Sequence, residues 1–306
     1  MNLYYNGTDI YESVSVNYCV HEMYAEKQAD TLVIRFNDPK GVWSKWAPAD
    51  GDVIRFKESA SDTGKMFIHS MKPENGLFTI RAMSMPKSGA TKRSKSWEGV
   101  RFIQLGHEIA EAHGLTFQNY GCADQVYPYL KQDNETDFSL FYRLCTLEGY
   151  QMIIYDGKLI AYSEKYIEEQ TPAGTLEVDE KGVFTYQDNR AQCYGSCEIS
   201  SGRFYGLFKD PNATSTTVLR PDKAIPVTSN AEAARFAKGL LRNANKYGHT
   251  GQFAKSLQTG YAAASLLRLK TTKASAWDGI VFVYKVRHDF VGNKSTIYFR
   301  KPLEGY

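Results

Sequence analysis

The segment HEIAEAH carries the residue types most suggestive of chemistry in this chain: His107, Glu108, Glu111 and His113. A zinc-protease helix needs two histidines one turn apart, with the catalytic glutamate between them. Here the histidines are six positions apart, roughly 240° around a helix, so they cannot grip one ion from one face. The spacing instead predicts His107 at a core edge and His113 at a helix C-terminus, where the macrodipole favours it. Cys193 and Cys197 lie four apart in AQCYGSCEIS with no second Cys or His pair nearby, so they read as small hydrophobes rather than zinc ligands. Glu135 with Asp137, and Asp179 with Glu180, could form the carboxylate pair of a glycosidase, but their polar, turn-like surroundings offer nothing to raise a pKa. Aromatic and basic residues interleave in RFYGLFK and VFVYKVRH. Such strands can stack bases, yet alternation alone explains them, with one face in a core and the other toward water or a subunit. No GxSxG elbow, P-loop or GxGxxG after a strand occurs. No catalytic, cofactor or metal site is expected.

The elements around these residues are mostly strands. Residues 1–90 alternate as SVSVNYCV, TLVIRF, GDVIRF, KMFIHSM and LFTIRAM, separated by turn-rich NDPKG, PADGD and KPENG. That spacing suggests a small antiparallel barrel or sandwich. MPKSGATKRSKS reads as a polar linker, with Lys87, Lys92, Arg93 and Lys95 as a solvated basic cluster. The period then becomes helical in WEGVRFIQLGHEIAEAHG, with Ser96 as expected cap and Gly114 as expected stop. A second helix is expected from Thr136 to Glu148, closed by Gly149. A hairpin should follow, turning at Asp156-Gly157, which supply the positive φ of a type I′ turn. Residues 97–165 are thus a helix–helix–hairpin unit. From 170 to 306 strands return, interrupted by a helix over 230–247 that Ser229 and Glu232 would cap.

Composition agrees with a folded, β-leaning protein. Hydrophobic residues make up 42%, and 21 Tyr and 16 Phe favour pleated surfaces. The net charge of +3 is too small to imply nonspecific nucleic-acid binding. No run reaches 18 apolar residues and no leader pattern is visible, so neither membrane insertion nor export is expected. Five scattered cysteines do not suggest a disulfide framework.

The segment QDNETDFSLFYRLCTLEGYQMIIYDGKLIAYS resembles the signature of the phage late control protein D family, the tail baseplate hub proteins, related to the hub portion of type VI secretion spike proteins. The matching positions are Gln132, Asn134, Glu135, Asp137, Phe138, Arg143, Leu144, Glu148, Gly149, Asp156 and Gly157, with Thr136 in place of the usual Ser. Upstream, Trp97 and IAEAHGL, which contains Gly114, resemble the same family. The resemblance implies a mainly β chain with an α+β part: two small antiparallel β-barrel, tube-like domains (1–90 and 170–306) flanking the middle unit. It implies a homotrimer presenting a pseudo-hexameric ring that joins the tail tube protein to a separate spike protein, among other baseplate proteins. DNA would meet it only in transit. The expected location is the virion tail baseplate, or that of a phage-tail-like contractile injection particle, after synthesis in the bacterial host cytoplasm. No cofactor and no enzymatic activity are implied. The competing expectation is a tail-tip protein that binds or hydrolyses cell-envelope glycans.

Overall fold

The computed structural model describes residues 1–178, 183–272 and 274–306. The candidate pair Asp179 and Glu180 lies outside the described residues. The first lobe contains β1 (Asn2–Tyr5), β2 (Thr8–Asp9), β3 (Ser15–Tyr24), β4 (Thr31–Asn37), the short helix α1 (Val42–Trp46), β5 (Val53–Glu58), β6 (Ser61–Asp62), β7 (Met66–Glu74) and β8 (Leu77–Met83). The alternating apolar residues of these strands point inward around Trp43, so Ile34, Phe36, Ile54, Phe56, Phe78 and Ile80 form one buried cluster.

The middle unit has β9 (Lys92–Arg101), α2 (Phe102–Ala112), β10 (Thr116–Tyr120), β11 (Val126–Thr136), α3 (Asp137–Glu148), β12 (Tyr150–Tyr155), β13 (Lys158–Ser163) and α4 (Glu164–Glu168). The second part of the expected linker, from Lys92 onward, is therefore strand. β9 pairs antiparallel with β11 over Lys92–Arg101, and this ribbon stands over the middle core through Trp97 and Val100. Ser96 is consequently not a cap; α2 starts later, with Arg101 extended at its N-cap. The other signals behave as expected. Gly114 has φ +67°. The Thr136 hydroxyl accepts from Ser139 N, Gly149 ends α3 at φ +76°, and Asp156 and Gly157 turn the hairpin at φ 46° and 73°.

The last stretch holds β14 (Gly174–Val178), β15 (Val183–Asp188), β16 (Ser196–Ser201), β17 (Phe204–Lys209), β18 (Val218–Leu219), α5 (Asn230–Asn245), β19 (His249–Ser256), β20 (Ser265–Thr271), β21 (Gly279–Asp289) and β22 (Lys294–Arg300). Ser229 caps α5 through Glu232 N. The helix does not sit within the second strand lobe. It lies on the small β17-β16-β18 sheet and on α3, so Phe236, Ala237 and Leu241 share the middle core with Phe102, Phe141 and Ile199. The approach to the end of α3 is tight: a Cβ on Gly239 would stand 2.2 Å from the Leu147 carbonyl oxygen and 2.6 Å from Gly149 N.

Six main strands of each lobe follow one order. In the first lobe it is β1-β5-β7-β8-β4-β3; in the second it is β14-β20-β21-β22-β19-β15. By chain rank both read first, fourth, fifth, sixth, third, second. The fifth strand of each lobe carries a register irregularity against the sixth, between Ile68 and Ser70 and between Val283 and Lys285. One pairing differs: β1 meets β5 antiparallel, whereas β14 meets β20 parallel. The mainly β, α+β class holds. Closed antiparallel barrels are not seen among the described residues: β1 does not pair with β3, nor β14 with β15, and β3 pairs instead with the second half of β21, which joins the lobes into a single 14-stranded sheet. Each lobe is a curled sheet, since its two end strands face one cluster: Leu3 with Cys19 in the first, Leu176 with partly buried Phe184 in the second.

Candidate functional site

The positions that resemble the family signature do not all converge. Gln132, Glu135, Asp137, Phe138 and Arg143 meet where β11 runs into α3. The Gln132 amide donates to Asp137 Oδ1 at 2.8 Å and to the Glu135 carbonyl at 3.0 Å. Arg143 donates to Glu135 Oε1 at 2.7 Å and to the Lys131 carbonyl at 3.1 Å, tying the helix back onto the strand that precedes it. Phe138 lies against His113, ring centroids 4.6 Å apart, and against Gly89, where a Cβ would come within 2.3 Å of its ring. Leu144 is deeper, in the middle core. Trp97 stands apart on the ribbon, its indole N–H donating to Glu108 Oε2 at 3.0 Å. Gly114, Gly149 and Gly157 sit at element ends, where their positive φ is needed.

His113 has partners that the sequence did not suggest. It stands at the C-terminal end of α2, as expected, but is buried there against Asp137, with Nε2 to Oδ2 at 2.9 Å and Nδ1 to the Ser88 hydroxyl at 2.8 Å. A carboxylate only accepts, so Nε2 carries the proton and Nδ1 faces the hydroxyl. Sequence reading missed this because Ser88, His113 and Asp137 come from three separate elements. His107 is exposed, so the two histidines of HEIAEAH part as their spacing demands. Among the described residues no group of three His, Cys, Asp or Glu converges to hold a metal.

A second buried cluster had no local signal at all. Arg300, from the last strand, donates to Glu164 at 3.0 Å and to Glu168 at 2.7 Å. Arg242 on α5 bonds Glu168 at 2.6 Å and approaches Glu164 at 3.5 Å. Lys246 contacts Glu26, which also accepts from Tyr247, and lies 3.6 Å from Glu164. Three cations thus face three carboxylates with almost no access to water. Burial alone would push the Glu164 carboxyl up, but Arg300, Lys246 and Arg242 outweigh it and hold its pKa at about 2. Burial pulls Lys246 below its ordinary range despite its two carboxylates. The cluster joins the first lobe (Glu26), the middle unit (Glu164, Glu168), α5 and the second lobe (Arg300).

The third feature is the seam between lobes. Past its irregularity, β21 pairs Lys285–Asp289 against Val20–Tyr24 of β3. His288 faces His21 in register, and both are fully buried. His288 is satisfied by Ser295 Oγ at 2.8 Å and the Tyr261 carbonyl at 3.2 Å, whereas both ring nitrogens of His21 lack a partner. Burial, reinforced by His288 and opposed by Asp62, lowers the His21 pKa to about 3. At the rim of the seam Glu22 pairs with Lys285 at 3.2 Å and Arg287 at 3.6 Å. This is an arrangement for holding two sheets together, with no nucleophile or open acid–base pair in it.

Solved structures share this architecture. The 43 kDa tail protein of prophage MuSo2 from Shewanella oneidensis matches with TM-score 0.75 at 12% identity, covering 98% of each chain. The tail protein from Neisseria meningitidis MC58 matches with TM-score 0.77 at 10% identity, over 98% of this chain and 95% of the other. The Escherichia coli c3393 protein, described as a component of the type VI secretion system with structural similarity to T4 tail proteins gp27 and gp5, matches with TM-score 0.63 at 12% identity, over 100% of this chain and 78% of the other. No family model and no curated protein matches the sequence. The fold is that of phage tail proteins and their type VI secretion relatives.

Proposed function

We propose that this chain is a structural baseplate hub protein of a phage tail or phage-tail-like particle, similar to the late control protein D family. Three copies would present six like lobes as a ring that seats a separate spike and meets the tail tube, with other baseplate proteins around it. The observation that carries the reading is the repeated strand order of the two lobes, down to the irregularity in the fifth strand. A chain built from two like lobes extends naturally to a cyclic assembly of like lobes, and cyclic symmetry limits growth to a closed object. Residues 1–90 and 170–306 would supply the ring, and the middle unit, with Gln132, Asp137, Phe138 and Arg143 bracing it, would set the angle between lobes. The buried ion cluster and the His21–His288 seam support this reading, since both resist relative movement of the lobes. The role is mechanical and non-enzymatic.

Light scattering on the purified chain should give three copies, and negative staining should show rings of tube width. A monomer that persists at high concentration with spike protein added would overturn the proposal. Loss of turbidity in a cell-wall suspension, abolished by one Asp or Glu to Ala change, would favour the hydrolase alternative.

A further inference from the structure

We propose that a cavity at the junction of the two lobes and the middle unit binds a small primary alkylammonium ion, held by the Asp30 carboxylate. The cavity measures about 220 Å3 and is lined from all three parts. Tyr24 comes from the end of β3, Asp30 from the residue before β4 and Asp62 from β6. Ile153 and Tyr155 come from β12, and Tyr261 from the loop between β19 and β20. The site lies within one chain and goes beyond the hub reading.

Asp30 is the group that calls for a cation. It is only 8% exposed, and its Oδ1 accepts from Tyr24 N at 2.8 Å. Among the described residues no side chain donates to Oδ2, and no Lys, Arg or His pairs with either oxygen. A buried carboxylate is costly to ionise unless a cation reaches it. The cost shows in its titration: burial, opposed by the Tyr24 N–H, raises the Asp30 pKa to about 7. Asp62 differs, since Arg55 at 2.6 Å and Lys57 at 3.0 Å already match it. Burial works against its charge too, but Arg55, the Gly64 N–H and Lys57 outweigh it and hold its pKa at about 2. One carboxylate of the cavity is therefore paired, and the other is open.

The rest of the lining sets the class of cation. Three tyrosines with Met23, Ile153 and Ala263 suit an alkyl chain, and aromatic rings attract organic ammonium ions. The tyrosine hydroxyls do not serve Asp30. Tyr24 donates to Glu22 at 2.7 Å, Tyr155 to the Asp62 carbonyl at 3.0 Å and Tyr261 to the Thr175 carbonyl at 3.1 Å. A primary ammonium supplies the donors that are missing, as three N–H bonds on one compact charge. A divalent metal would need more ligands, and among the described residues no three His, Cys, Asp or Glu converge here. A dry cavity of about 150 Å3 holds benzene, so this one has room for a chain of about four carbons. Gly260 and Ala262, both exposed, mark its mouth.

The test is calorimetric titration of the full chain with butylamine hydrochloride at pH 8, which should show saturable binding. Asp30→Asn keeps the shape and removes the charge, and should weaken binding by about tenfold or more. Lowering the pH from 8 to 6 should weaken it about tenfold as Asp30 takes up its proton. The neighbouring groups do not titrate in that window. Asp62 stays charged, and His21, which feels Asp62, stays neutral because burial lowers its pKa to about 3. Burial raises Tyr24, Tyr155 and Tyr261 above their ordinary 10. 1-Butanol has the chain without the charge and should bind about tenfold more weakly than the amine. Equal binding of amine and alcohol, or equal binding of the amine by Asp30→Asn and the unmodified chain, would overturn the proposal. Equal heats from potassium chloride would make this a site for inorganic ions and overturn the class of ligand. Should Asp30→Asn not fold, Ala262→Trp at the exposed mouth is the second variant. It should block entry and weaken the amine by about tenfold, and undiminished binding would count against this cavity as the site.

Discussion

At the scale of single residues, the buried Asp137 shows what opening a polar set costs. Asp137 accepts from His113 and Gln132 together, so Asp137→Ala leaves two buried donors without partners. Unpaired buried groups cost about 1–3 kcal/mol each. The variant should lose roughly 2–4 kcal/mol in urea unfolding, while Ser88→Ala, at the exposed end of the chain of contacts, should lose far less. His21 gives a pH prediction. Its folded pKa of about 3 lies below the ordinary value of 6.5, so the neutral ring stabilises the fold fully above pH 6.5. That contribution is lost as pH falls from 6.5 toward 3. Between pH 7 and pH 5 the loss from this one group should be roughly 2 kcal/mol. His21→Leu should flatten that part of the stability profile relative to the unmodified chain; an identical slope in both would rule the effect out.

At the scale of elements, α5 is placed by what it lacks. Gly239 lets its backbone touch the end of α3, and Gly206 on β17 lets the helix cross the small sheet, where a Cβ would stand 2.2 Å from the Ala233 carbonyl carbon. Gly239→Ala gains about 1 kcal/mol of helix propensity but drives a methyl into backbone atoms that cannot retreat, an overpacking cost of about 1–3 kcal/mol. The net outcome should be destabilisation, read as a lower melting temperature. How much of this was legible in the sequence follows from the same contrast. The caps at Thr136 and Ser229, the stops at Gly114 and Gly149 and the Asp156-Gly157 turn are local rules, and all were readable. β9 was misread because its run of Lys, Arg and Ser has neither strand period nor strand propensity; only its partner β11 and the core beneath Trp97 make it a strand. The attachment of α5 to the middle core was invisible for a similar reason. An amphipathic face states that a helix is covered, not by what.

At the scale of the whole molecule, parts far apart in the chain converge on one point. Glu26, Glu164, Arg242 and Arg300 span most of its length, and no window of sequence contains two of the cluster's contributing regions. Glu164→Gln removes one carboxylate from between three cations. Breaking a buried ion set in this way costs about 3–5 kcal/mol. The loss should appear as earlier unfolding and as faster amide exchange in both lobes at once; slowed or unchanged exchange in either lobe would show that the cluster does not couple them. The lobes match in strand order but not in the connection between their second and third strands. In the first that connection is residues 25–30; in the second it is 189–248 and carries β16, β17, β18 and α5. A collar of these chains would therefore have two different tooth counts about one axis: six where the curled sheets repeat and three where the long excursions stand out. A hexagonal part and a triangular part could each mesh with it, and neither would have to be deformed.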